Sequence, residues 1–142
     1  MDTIQALKLT EEGAGKIIKA AAAKTKEVGV PMSIAVVDEG ANLLAFVRTQ
    51  GGKPHNVRIA LAKALAAASN RMPTGKIGSV GQPLDDAGAV AIVFAAGPEF
   101  YTTLPGGLPI FVQGQCVGGI GVSGGTGQQD LEVAQAGLDA LK

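Results

Sequence analysis

Pro105-Gly-Gly-Leu-Pro-Ile-Phe-Val-Gln-Gly-Gln-Cys-Val-Gly-Gly-Ile-Gly-Val-Ser-Gly-Gly-Thr-Gly-Gln-Gln-Asp130 is the stretch on which the fold turns. Two apolar β-runs, Leu108–Val112 and Cys116–Ser123, flank Gln113-Gly114-Gln115, where Gly114 can supply the positive φ of a tight hairpin. The second run carries Gly118, Gly119 and Gly121, and Gly124, Gly125 and Gly127 follow it. Glycine weakens a strand, so this density points to close approach of another backbone or of a ligand. An Ala/Leu helix follows, with Leu131, Ala134, Leu138 and Leu141 on one stripe. Its free N–H groups and dipole favour an anion.

Upstream, Thr10 is placed as an N-cap with Glu11 and Glu12 in the first helical turn, and Gly29 with Pro31 stops that helix. Met32–Asp38 and Leu43–Arg48 form a hairpin around Glu39-Gly40-Ala41-Asn42. After the loop Thr49–Lys53, Pro54 opens a helix whose apolar stripe is Val57, Leu61, Ala64, Leu65 and Ala68, with Arg58 and Lys63 off it. Asn70–Pro83 reads as irregular with a short helical turn. Asp85–Ala96 is read as a helix, although Val90–Phe94 alone would suit a buried strand. Glu99–Leu104 then supplies a third strand. The order α-ββ-αα-βββ-α predicts an α+β domain with a five-stranded, mostly antiparallel sheet covered by helices, spanning 1–142 as a single domain.

Composition narrows the functional classes. Twelve acidic and twelve basic side chains leave no excess positive charge for nucleic acid or an anionic membrane surface. No apolar run reaches the roughly 18 residues of a membrane span. The start Met1-Asp-Thr-Ile-Gln lacks a charged n-region and an apolar h-region, so the expectation is a cytoplasmic protein. One cysteine excludes an internal disulfide framework. The small residues of Ala60–Ala68 and the balanced charge point to a homo-oligomer.

Several segments together resemble the GlcG/HbpS-like family, which includes the C-terminal domain of PduO-type corrinoid adenosyltransferases. They are Ala35-Val-Val-Asp38 with Gly40 and Leu44 through Arg48, Ile59-Ala60, Lys63-Ala64, and Gly106-Gly-Leu-Pro-Ile110. Gly114 through Gly125, Gln129-Asp130 and Val133-Ala134 complete the match. The resemblance implies an α+β fold with a five-stranded antiparallel sheet, homo-oligomers, and a ligand-binding accessory protein of a catabolic operon, with haem or another tetrapyrrole as ligand. One departure is visible. Members commonly carry Asp-Gly-Ala after the second-strand arginine, whereas Arg48 here is followed by Thr49-Gln-Gly-Gly-Lys-Pro-His55.

His55 is the sole histidine. It is either an exposed helix-start residue or an axial haem ligand or acid/base, and it is the one metal ligand expected if haem is bound. Arg48, Lys53, Arg58 and Lys63 surround the same loop and could hold a carboxylate or propionate; a solvated helix face is the plain alternative for Arg58. Gly118–Gly127 could cradle an anion, without being a Walker A loop, or could serve helix-on-sheet packing. Asp130 is explained by the helix dipole alone, or joins Gly124 and Gly125 in the ligand site. Cys116 reads as a small buried hydrophobe. Two further functions stay open: a small lyase, hydrolase or isomerase of a carboxylated metabolite, with His55 as acid/base, and a structural accessory subunit. The expected pocket lies where Thr49–His55 meets Gly118–Gly127.

Overall fold

Alternation of side chains along the two central strands decides how the layers stack. In the computed structural model, which describes residues 1–141, the order is α1 (Glu11–Val28), β1 (Ser33–Asp38), β2 (Leu43–Arg48), α2 (His55–Asn70), α3 (Asp86–Ala96), β3 (Gly107–Val112), β4 (Gln115–Ser123) and α4 (Gly127–Leu138). The strands form one antiparallel sheet in the order β2-β1-β4-β3. Ile34 and Val36 of β1, with Ile120 and Val122 of β4, face α1 and α4 and meet Ile17, Ala21, Val133 and Ala134. The intervening Ala35 and Val37 face the other way, onto Ala64, Leu65 and Ala68 of α2. Period-two alternation therefore buries both faces of the sheet, giving three layers: α1 with α4, the sheet, then α2.

Local signals set the element ends. Thr10 Oγ1 accepts from Gly13 N at 3.0 Å and Gly29 closes α1 at φ 79°. Asp85 caps α3 through Gly88 N at 2.7 Å. At α4, Thr126 and Gln129 form a reciprocal capping box. The β3–β4 hairpin turns at Gln113 and Gly114, both with positive φ, as a two-residue connection requires.

The sheet has four strands, not the five expected. Glu99–Leu104 is not a strand: the amides of Phe100 and Tyr101 both donate to Gly97 O, which curls the segment into a turn on leaving α3. Pro105 at its end has no amide to offer a ladder. Sheet pairing resumes only where Val122 N donates to Gly106 O. The segment instead runs beside α2. Asn70–Pro83 closes as a narrow loop with an isolated bridge between Ile77 and Pro83.

The alanine face of α2 is spent inside the chain. A Cβ on Gly119 would lie 2.5 Å from Ala64 O and 2.8 Å from Ala68 N, and one on Gly121 would run into Ala60 O and Ala64 N. Alanine on the helix and glycine on β4 thus let two backbones nearly touch. The small residues from Ala60 to Ala68 serve intramolecular packing, so they are not themselves the argument for an oligomer.

α3 is the outlier. Nine of its eleven residues are Ala, Val, Ile or Phe, yet only Ala89 is buried. It makes no extensive packing contact with another helix or strand among the described residues.

Candidate functional site

α2 is rich in alanine between Ala60 and Ala68, and its two buried polar side chains share one side. Asn56 and Lys63 are seven positions apart, two turns along the helix, and both are buried, at 8% and 3% exposure. That side faces the end of β4 and the start of α4. Ser123 Oγ donates to Asn56 Oδ1 at 2.7 Å. Lys63 Nζ donates to Val122 O at 2.8 Å and to Asp130 Oδ2 at 2.9 Å. Asp130 Oδ1 accepts from Gly125 N at 2.9 Å. Removal from water pushes the Lys63 ammonium down and the Asp130 carboxyl up from their ordinary values, against the stabilising effect of their contact. Gly106, at φ 124°, covers the pair: a Cβ there would lie 2.8 Å from Lys63 Nζ and 2.9 Å from Asp130 Cβ.

Above this buried pair is a cavity of about 310 Å³. Lys53 lines it from the loop before α2, and His55, Asn56, Ile59 and Lys63 from the helix itself. Ser123, Gly124, Gly125, Gly127 and Asp130 close the opposite side, with Leu104 and Pro105 between. Gly124 adopts φ 147°, and a Cβ would meet Pro31 O at 2.7 Å, so the turn out of β4 into the cavity wall admits no side chain.

The glycine-rich segment is therefore divided in its work. Gly118, Gly119 and Gly121 lie against β1 and α2, whereas Gly124, Gly125 and Gly127 line the cavity. The structure brings Lys53, His55, Gly124, Gly125 and Asp130 together. Arg48 does not line this cavity; it is exposed at the end of β2, its aliphatic stem beside Gly52. Arg58 lines a second, larger groove.

That groove, about 700 Å³, lies between α2 and the segment after α3. Its walls are mainly apolar, with Ile59, Leu61, Ala62 and Leu65 from α2, Val93 from α3, and Phe100 and Leu104 opposite; Arg58, Glu99, Tyr101 and Thr102 supply the polar groups. Burial raises the Tyr101 hydroxyl above its ordinary value. Ile59 and Leu104 border both hollows, which are thus neighbours.

Sequence reasoning set Lys63 off the apolar stripe and missed Asn56 and Ser123 altogether. The seven-residue spacing of Asn56 and Lys63 on an alanine helix was the available signal. Cys116 is partly buried, its Sγ 3.4 Å from Gly118 O. Asp38 Oδ1 accepts from Gly40 N and Asn42 N at 2.9 Å each, an Asx-type turn. Among the described residues there is no cluster of His, Cys, Asp or Glu able to hold a metal ion, and no helix long and apolar enough to cross a membrane.

Helices on both faces of a four-stranded antiparallel sheet, with a glycine-lined cavity at the end of β4, define a three-layer α+β protein. The sequence profile described as haem degrading protein HbpS-like matches residues 9–139, and the chain belongs to that family. It is 36% identical over 115 residues to protein GlcG of Escherichia coli K12, 81% of each chain. It is 33% identical to a 15.0 kDa protein of the dhaT-dhaS intergenic region of Citrobacter freundii, covering 94% of this chain and 92% of that one. A double mutant of Streptomyces reticuli HbpS superposes with a TM-score of 0.83 at 33% identity, covering 99% of this chain and 92% of that one. The PduOC:heme complex superposes with a TM-score of 0.83 at 23% identity and 96% coverage of each, a likeness of fold.

Proposed function

We propose that the chain is a haem- or tetrapyrrole-binding accessory protein that works as a homo-oligomer. The observation that carries this reading is the groove of about 700 Å³ with aliphatic walls, two aromatic side chains and an arginine. Apolar walls suit the faces of a planar macrocycle, and a guanidinium suits its anionic arms. The family description and the haem held by PduOC support the same ligand. Tyr101 within the groove and His55 in the neighbouring cavity are the side chains that would offer iron a donor, and Arg58 would hold a propionate. Haem supplies light absorption and redox chemistry when bound; the chain's residues bind and orient it.

Titrating haem into the wild type should give a shifted, saturable Soret band. Arg58→Ala is expected to weaken binding about tenfold, as loss of a charge-assisted contact does. If His55 ligates the iron, His55→Ala changes the band position; an unchanged band assigns the iron to Tyr101 or another donor. A wild type that leaves the Soret band of free haem unaltered overturns the reading.

Self-association is supported by α3 and the segment after it. Val90 and Phe94, one turn apart on α3, and Phe100 just after it are 55%, 76% and 63% exposed, apolar side chains that a partner could cover. Copies of the chain covering α3 would bury it. Light scattering at micromolar concentration should give a multiple of 14.2 kDa, and Phe94→Glu should reduce it. A monomeric wild type refutes the oligomer.

A further inference from the structure

We propose that the cavity of about 310 Å³ above the Lys63–Asp130 pair is a separate binding site for a small aliphatic carboxylate. Counting donors and acceptors on its buried side chains carries the argument. Both Asp130 oxygens are engaged, Oδ2 by Lys63 Nζ and Oδ1 by Gly125 N. The Asn56 carbonyl oxygen is engaged by Ser123 Oγ. Each of these oxygens already accepts a hydrogen bond from within the protein, and the site still has N–H donors to offer. An ammonium has three N–H groups, and Lys63 uses two, on Val122 O and Asp130 Oδ2. The Asn56 amide nitrogen makes no hydrogen bond to another group among the described residues. Both side chains are more than nine-tenths buried and both line the cavity. The spare donors of Lys63 and Asn56 open on one cavity, where a single acceptor from outside can meet both.

Charge and size narrow that acceptor. Lys53 at the exposed rim adds a cation that no carboxylate among the described residues neutralises within hydrogen-bond distance. Lys63 is the only other lysine at the site, and its charge is matched by Asp130, so the field inside favours an anion. Ile59, Leu104 and Pro105 offer an apolar wall to a short carbon chain. The volume lies at the small end of ligand pockets, enough for a small acid and too little for a macrocycle. Apart from the shared Ile59 and Leu104 its lining differs from that of the groove beside it, and the carboxylate site needs neither haem in that groove nor His55.

Calorimetry and amide chemical shifts on the full chain, with propionate and pyruvate as probes and propionamide and propylamine as controls, test this. The carboxylates should bind, shifting the amides of Ser123, Gly124 and Gly125, and the amide and amine should not. Lys53→Ala, on an exposed loop and harmless to folding, should weaken propionate binding about five- to tenfold, and Asn56→Asp should abolish it. No binding of either carboxylate at about 10 mM, equal binding of propionamide, or shifts confined to other surfaces overturns the proposal.

Discussion

Lys63→Ala is expected to lower the unfolding free energy by about 3–5 kcal/mol, the scale seen when one member of a buried ion pair is removed. Against a total of about 5–15 kcal/mol for an ordinary domain, that is enough to unfold a large fraction of the molecules on mild warming. The loss has identifiable parts: Asp130 keeps only Gly125 N, Val122 O loses its donor, and the ammonium packed under Gly106 leaves a void. Its pH dependence has a definite sign. Burial already raises the Asp130 carboxyl above its ordinary 3.8, and losing the ammonium raises it further. A group whose folded pKa exceeds its unfolded one favours the fold below the unfolded value, and that benefit disappears as pH rises through the folded value. The deficit of Lys63→Ala relative to wild type should therefore be largest at neutral pH and shrink toward about pH 4. Urea denaturation at the two pH values measures both. A deficit below about 1 kcal/mol at neutral pH would show the pair to be dispensable.

Replacing the pair by apolar side chains need not be as harmful, because desolvation of both ions is already being offset by their contact. Lys63→Met with Asp130→Leu should recover part of the single-variant loss. Gly125 N and Val122 O would still lack partners, about 1–3 kcal/mol for a buried group left unpaired. The contrast separates stability from site chemistry. If the charges are kept for the ligand, the double variant folds and binds no carboxylate.

What the sequence disclosed follows from how local each cause is. Caps, turns and period-two alternation act within a few residues, so α1, the two hairpins, the helix over Asp86–Ala96 and α4 were all readable. Glu99–Leu104 failed because β-branched and aromatic residues say only that a segment could pair, while the turn closed on Gly97 O and the missing amide of Pro105 decide that it does not. The cavity was half readable. Lys53 and His55 sit two positions apart at the entry to α2, and the glycines announce a close approach, but which glycines meet a helix and which meet open space depends on strand direction. In β4, Gly119 and Gly121 point to α2, and only beyond Ser123 does the backbone leave the sheet. Lys63 and Asp130 are sixty-seven positions apart, and nothing local to either announces the other. An isolated cation on an alanine helix was the trace that pairing left.

Gly121→Ala is expected to destabilise by about 3 kcal/mol or more, although it adds a single methyl group. The new Cβ would run into Ala60 O and Ala64 N and approach Lys63 C at 3.0 Å, all backbone atoms of α2. No side chain can rotate to make room, so the helix must lift from β4 or the strand must bow. Either movement stretches the bond from Lys63 Nζ to Val122 O, next to the substituted residue, and with it the floor of the cavity. The effect thus extends beyond packing: surviving Gly121→Ala protein should bind propionate more weakly. Gly15→Ala is the matched control. Gly15 lies on the exposed side of α1 with nothing within 4 Å of an added Cβ, where alanine favours the helix by about 0.5–1 kcal/mol. The same atom added at two glycines should move the urea midpoint in opposite directions. Destabilisation of Gly121→Ala by less than about 1 kcal/mol would mean that α2 and β4 are not in such close contact, and the small residues of both would need another explanation.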